Sequence, residues 1–117
     1  MTSTRFALAA ASAAALLAAG CATTRGPAPG SELAGRTLRM QAANGEVTTL
    51  RFRDNGRVRA TFRGRALDGR WEAGERRLCF FWPRVARECW PYRQRFERGR
   101  TRTLTSDRGN VVRVTML

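Results

Sequence analysis

Three cysteines, nine carboxylates and 22 arginines hold most of the chemistry open to this 117-residue chain, which contains no histidine. Without an imidazole it lacks the side chain whose ordinary pKa suits general base catalysis near neutral pH. Downstream of Cys21 the serine hydroxyls are Ser31 and Ser106, the first in a linker-like stretch and the second at a turn. Asp54, Asp68 and Asp107 fall at turn signals, and Glu72 and Glu75 flank another. A Glu72/Glu88 pair has the residue types for glycosidic acid–base cleavage, which needs carboxyls roughly 5–10 Å apart, but nothing in their spacing requires it. No catalytic residue is assigned, and the chain is not expected to be an enzyme. Cys79, Cys89 and Glu88 are a poor set for tetrahedral zinc. Nor is the cysteine spacing the Cys-x-x-Cys of a tuned redox thiolate. Neither a metal nor a cofactor is expected.

The cysteines make better sense as a staple. If Pro83-Arg84-Val85 is a turn, Trp82 lies across from Ala86 and Cys79 across from Cys89, on one face at one level. In an oxidising compartment that arrangement predicts a disulfide. The other face carries Leu78, Phe80, Trp82 and Trp90, with Glu88 at the rim or paired with an arginine. Trp71, Phe80, Trp82 and Trp90 read as core, or alternatively as an aromatic cup for an apolar ligand. Core is preferred, because an eight-stranded barrel has an interior only just wide enough for side chains.

The arginines show a second pattern. A three-residue Asp54-Asn55-Gly56 loop pairs Phe52 with Val58 and Leu50 with Ala60, keeping the apolar face together. Arg51, Arg53, Arg57, Arg59 and Arg63 then share the opposite face, with Arg53 across from Arg57 and Arg51 from Arg59. Like charges directly opposite destabilise a sheet, so this face is a candidate anion-binding patch. The formal net charge of +13 fits such a partner. Composition qualifies the inference: Lys, Ile and His are absent and Tyr occurs once, as AT-poor codon usage would produce. Such bias explains arginine over lysine, but not why so few acids accompany it.

The elements that must position these residues are strands. Thr37 to Met40, Thr48 to Arg53, Arg57 to Arg63, a run at Trp71, Leu78 to Trp82, Ala86 to Tyr92, Arg100 to Thr105 and Val111 to Leu117 all read as β. Turn signals fall at Asn44-Gly45, Asp54-Asn55-Gly56, Asp68-Gly69, Ala73-Gly74, Pro83, Gly99 and Asp107 to Asn110. In the last hairpin Leu104 pairs with Val112, and Asp107 and Gly109 serve the turn. No segment after Ser31 sustains a 3.6-residue apolar period. The fold class is therefore all-β, an antiparallel meander of about eight short strands closed as a small barrel or folded as a sandwich.

At the amino terminus, Arg5 precedes an apolar stretch from Ala7 to Ala19 that is too short to span a bilayer, and small residues lead into Cys21. The ending Leu17-Ala18-Ala19-Gly20-Cys21 resembles the lipobox of bacterial lipoproteins. That resemblance implies an N-terminal signal helix over 1–20, lipidation of Cys21, a flexible lipidated tether over 21–32 and one basic β domain over 33–117. With Ala22 after the cysteine, it further implies an outer-membrane lipoprotein facing the periplasm; a secreted soluble periplasmic protein is the alternative. The stretch from Gly69 to Tyr92, with Trp71, Leu78-Cys79, Trp82 and Cys89-Trp90, also resembles small β-rich proteobacterial lipoproteins of unassigned function. The expected role is a non-enzymatic binding or structural module. Its expected partners are the membrane through the lipid anchor, anionic lipid or cell-wall polymer, and another envelope protein. No nucleic-acid motif is present, and nucleic acid is not an expected partner. The alternative is a miniature lipocalin-like carrier of a small apolar ligand.

Overall fold

Alternation of apolar and arginine-rich positions, punctuated by glycine turns, gives eight strands in the computed structural model, which describes residues 26–117. They are β1 (Thr37–Ala42), β2 (Val47–Phe52), β3 (Arg57–Phe62), β4 (Arg65–Ala73), β5 (Arg77–Phe81), β6 (Glu88–Pro91), β7 (Thr101–Thr105) and β8 (Val111–Met116). All strand pairs are antiparallel. Strands β1 to β6 form a meander, β8 returns to pair with β1, and the sheet order is β6-β5-β4-β3-β2-β1-β8-β7. The two edge strands β6 and β7 come into contact, so the sheet curls into one nearly closed barrel. The expected signal region, Cys21 and the first part of the expected tether lie outside the described residues.

The seam between β6 and β7 is bridged at both ends. The Asp107 amide donates to the Cys89 carbonyl, and the Cys89 amide donates back to Asp107 Oδ1, each at 2.9 Å. Asp107 therefore bridges the seam as well as turning the last hairpin. Further along the seam, Arg102 of β7 donates to the Gln94 and Arg95 carbonyls and lies over the Phe96 ring.

Inside, Leu38, Phe52, Val58, Leu78, Phe80, Trp90 and Val114 are buried from facing strands. Leu33, with no exposed surface, seals one end together with Tyr92 and Phe96. Here the packed unit reaches back to Gly30, three residues before the expected boundary. The Gly30 amide donates to the Tyr92 hydroxyl, which in turn donates to Glu32. A side chain on Gly30 would stand 2.5 Å from the Ala73 Cβ.

The registers expected for the Phe52/Val58 and Leu104/Val112 hairpins are present. One expected turn is not. Asp68-Gly69 lies inside β4, and the reversal is made earlier by Arg63 (φ 48°) and Gly64 (φ 74°). These two left-handed residues form the tight turn that suits the twist of a two-residue hairpin, with Phe62 paired to Arg65. Asp68 is then free to face Arg59 across the strands.

Candidate functional site

Cys79 pairs with Cys89 across β5 and β6 and forms a disulfide, their Cα atoms 4.0 Å apart. The ladder ends at Phe80/Glu88, so the connection runs from Trp82 to Arg87, longer than the expected Pro83-Arg84-Val85 turn. Closing a loop this short constrains the unfolded chain by about 2–3 kcal/mol in the entropy model. The paired Cys79→Ser/Cys89→Ser variant is expected to lose that much in reversible denaturation. A loss below about 1 kcal/mol would show that β5 and β6 hold together without the bond.

The aromatic residues divide between two environments. Phe80 and Trp90 are buried, with ring centroids 4.7 Å apart, and Phe52 meets Trp71 edge-on at 5.2 Å. Phe80 and Trp90 thus belong to the core, and half-buried Trp71 packs against it. Half-buried Trp82 stacks on Phe80 at 6.0 Å and reaches the opposite end of the barrel from Leu33. There it lines an open groove of about 460 Å³ with Met40, Leu50, Ala60, Phe62 and Leu67. Ala66 and Val85 complete the apolar wall, Thr48 adds a hydroxyl-bearing side chain, and Arg65 is the charged residue on it. The groove residues were legible only in part, because the Arg63-Gly64 turn that brings Arg65 opposite Phe62 reads as the end of a strand.

Glu88 shares the inward face, as expected, but its partners are not arginines. It accepts hydrogen bonds from the Ser106 hydroxyl at 2.8 Å and from the Asn110 amide. Ser106, buried at the last turn, also accepts from the backbone amides of Arg108 and Asn110. Glu72 pairs with Cys79 on the outer face, whereas Glu88 pairs with Phe80 on the inner one. The sheet therefore separates the two carboxylates that acid–base chemistry would need together.

All five arginines of the β2–β3 face are exposed, and their environments differ. Arg59 grips Asp68 through Nε (2.8 Å) and Nη2 (3.2 Å), and this bond holds the Asp68 carboxyl below its ordinary pKa. Arg53 and Arg57 add to that depression through their charge. Arg63 pairs with Glu46 at the far end of the hairpin. Among the described residues, Arg51, Arg53 and Arg57 form no ion pair with a carboxylate. Arg57 pairs in register with Arg70, which extends the row and lies over the Phe81 ring at 5.4 Å.

Backbone contacts fix this patch in place. The Trp71 indole donates to the Arg53 carbonyl at 3.2 Å, and the Arg53 amide donates to the Arg57 carbonyl at 2.8 Å. Gly56 takes the left-handed conformation that closes the loop (φ 79°). An open hollow of about 350 Å³ lies between Arg51, Arg53 and the Ala34–Gly35 backbone, with Asp54 on its wall. The patch therefore sits at the end of the barrel where the chain enters it. No family model, curated protein or solved structure matches this chain.

Proposed function

We propose that this chain is an outer-membrane lipoprotein anchored through Cys21, whose β domain is a non-enzymatic module for anionic envelope surfaces. One observation carries the reading. Among the described residues, Arg51, Arg53, Arg57 and Arg70 stand together without carboxylate partners, at the barrel end where the described chain enters it. From Cys21 to Gly30 an extended chain reaches at most about 30 Å. An anchor at Cys21 therefore keeps this end near the bilayer that the guanidinium groups would meet. Arginine suits phosphate head groups through paired hydrogen bonds. The filled interior around Phe52, Leu78 and Phe80 supports a module over a carrier holding its ligand at the barrel's centre.

Two measurements test this reading. Intact-mass analysis of the protein from membranes should show acyl chains on Cys21 as the first residue; an unmodified cysteine would refute the anchor. The full chain carrying Cys21→Ser should bind phosphatidylglycerol vesicles and not phosphatidylcholine vesicles. The binding should fade as salt shortens the Debye length below about 10 Å. Arg53→Gln with Arg57→Gln should weaken it about thirtyfold, at roughly 1 kcal/mol for each basic residue near an anionic surface. Equal binding to both vesicle types at low salt would overturn the surface reading. Retention by another envelope protein without lipid would move the same patch to a protein partner.

A further inference from the structure

The groove at the other end of the barrel breaks the pattern of its own strands. Arg65 pairs with Phe62 across the Arg63-Gly64 turn, in the register whose neighbours Ala60, Leu67 and Leu50 face the interior. Alternation calls for an apolar residue there, and a charge at such a position is a local inconsistency of the kind found at functional sites. Among the described residues Arg65 has no carboxylate partner, and no acid lines the groove. The walls are apolar: Leu50 is buried, while Phe62 and Trp82 are half-covered, and Leu67 and Val85 remain 43% and 57% exposed. A hollow of about 460 Å³ is within the size of sites that take small ligands, roughly 300–1,000 Å³.

We propose that this groove binds one medium-chain fatty acid, with the chain against Phe62, Leu67 and Trp82 and the carboxylate on Arg65. A single guanidinium at the rim matches a single carboxylate, which it can hold through two parallel hydrogen bonds. The space suits one chain. A ligand with a cationic head would meet Arg65 unfavourably, and a neutral one would leave its charge unanswered. If the anchor holds the opposite end against the bilayer, the groove faces away from it and is filled by monomers from solution. That last point rests on the proposed anchor; the binding itself does not.

The test uses the full chain with Cys21→Ser and dodecanoate below its micelle concentration, measured by calorimetry. Saturable binding of one dodecanoate per chain is expected, with affinity falling about fourfold for each methylene removed. Bromoundecanoate should quench tryptophan fluorescence, and the quenching should be largely lost in Trp82→Phe. Arg65→Gln should weaken dodecanoate at least about tenfold while leaving dodecanol unchanged. Arg53→Gln with Arg57→Gln should leave dodecanoate binding intact, and Arg65→Gln should leave vesicle binding intact, so either site can fail alone. Unchanged thermal unfolding of Arg65→Gln would show that the loss is not misfolding. Dodecyltrimethylammonium binding as tightly as dodecanoate, or no binding at all, would overturn the proposal. So would tighter binding of monomeric dihexanoyl phosphatidylglycerol, which would assign the groove to phospholipid. A chain dimer dispersed by Leu67→Glu would assign it to a second copy.

Discussion

Replacing Glu32 with alanine is expected to cost about 3 kcal/mol, since bonds to a charged partner are worth roughly 1.5–3 kcal/mol each and combine incompletely. The Glu32 carboxylate accepts the Tyr92 hydroxyl at 2.7 Å and the Phe96 amide at 2.9 Å. Arg95 approaches it at 3.7 Å and donates to the neighbouring Ser31 hydroxyl. Removing the carboxylate strands a donor on each of two buried residues at the end sealed by Leu33. Glu32→Gln, which keeps an acceptor, should retain a measurable part of the stability. A loss under about 1 kcal/mol for Glu32→Ala would mean that water replaces the carboxylate and that apolar packing alone holds the segment. The segment matters to the proposed function because it would join the proposed anchor to the domain beside Arg51 and Arg53.

The same latch has a pH signature. Burial, and then the bond to Glu32, push the Tyr92 hydroxyl up to about 12 from its ordinary 10. A pKa raised on folding stabilises the folded state fully below pH 10. That contribution is lost as pH rises through 10 towards 12. Stability should therefore decline over this window in the native protein, and Tyr92→Phe should remove this part of the decline. Tyr92 is the single tyrosine in the chain. Phenolate absorbance therefore reports it alone, and a midpoint near 10 in the folded protein would contradict its burial.

Much of the barrel was legible because period-two alternation fixes faces, and faces fix register. Leu50 and Phe52 can keep company with Val58 and Ala60 in only one way around Asp54-Asn55-Gly56, and the same logic set Cys79 against Cys89. What escaped was decided across the sequence. Asp68-Gly69 is a strong local turn signal, yet Arg63-Gly64 reverses the chain first and the strand runs through. Asp68 owes its place to Arg59, nine residues earlier in the chain. The Pro/Gly-rich approach to Gly30 reads as a linker because its partner, Tyr92, lies far along the chain. The arginine face was visible as a pattern, but which members keep a free charge depends on where Glu46 and Asp68 fall. Arg65 was hidden for the same reason as the turn before it.

Gly69→Ala is expected to destabilise the fold by about 3 kcal/mol, the upper end of the usual range for overpacking. A Cβ at this position would stand 2.5 Å from Trp82 Cε3 and 2.7 Å from the Phe81 carbonyl oxygen. The indole could rotate away, but the carbonyl belongs to the β4–β5 ladder and has little room to yield. At an unstrained open position the same substitution would stabilise by about 0.4–1 kcal/mol through the unfolded chain. The sign of the change is therefore diagnostic. In a domain of this size 3 kcal/mol lowers the unfolding midpoint by roughly 12–24 °C. Trp82→Leu should recover part of the loss in the Gly69→Ala background while being destabilising alone, a coupling that a double-mutant cycle measures. Gly69 is the bare patch of strand against which Trp82 lies, and Trp82 is a wall of the groove beside Arg65. Even a folded Gly69→Ala protein should therefore show altered tryptophan near-ultraviolet dichroism and weaker dodecanoate binding. A stable variant with native dichroism would mean that β4 and β5 part easily at this point, and that the groove's shape does not depend on the glycine.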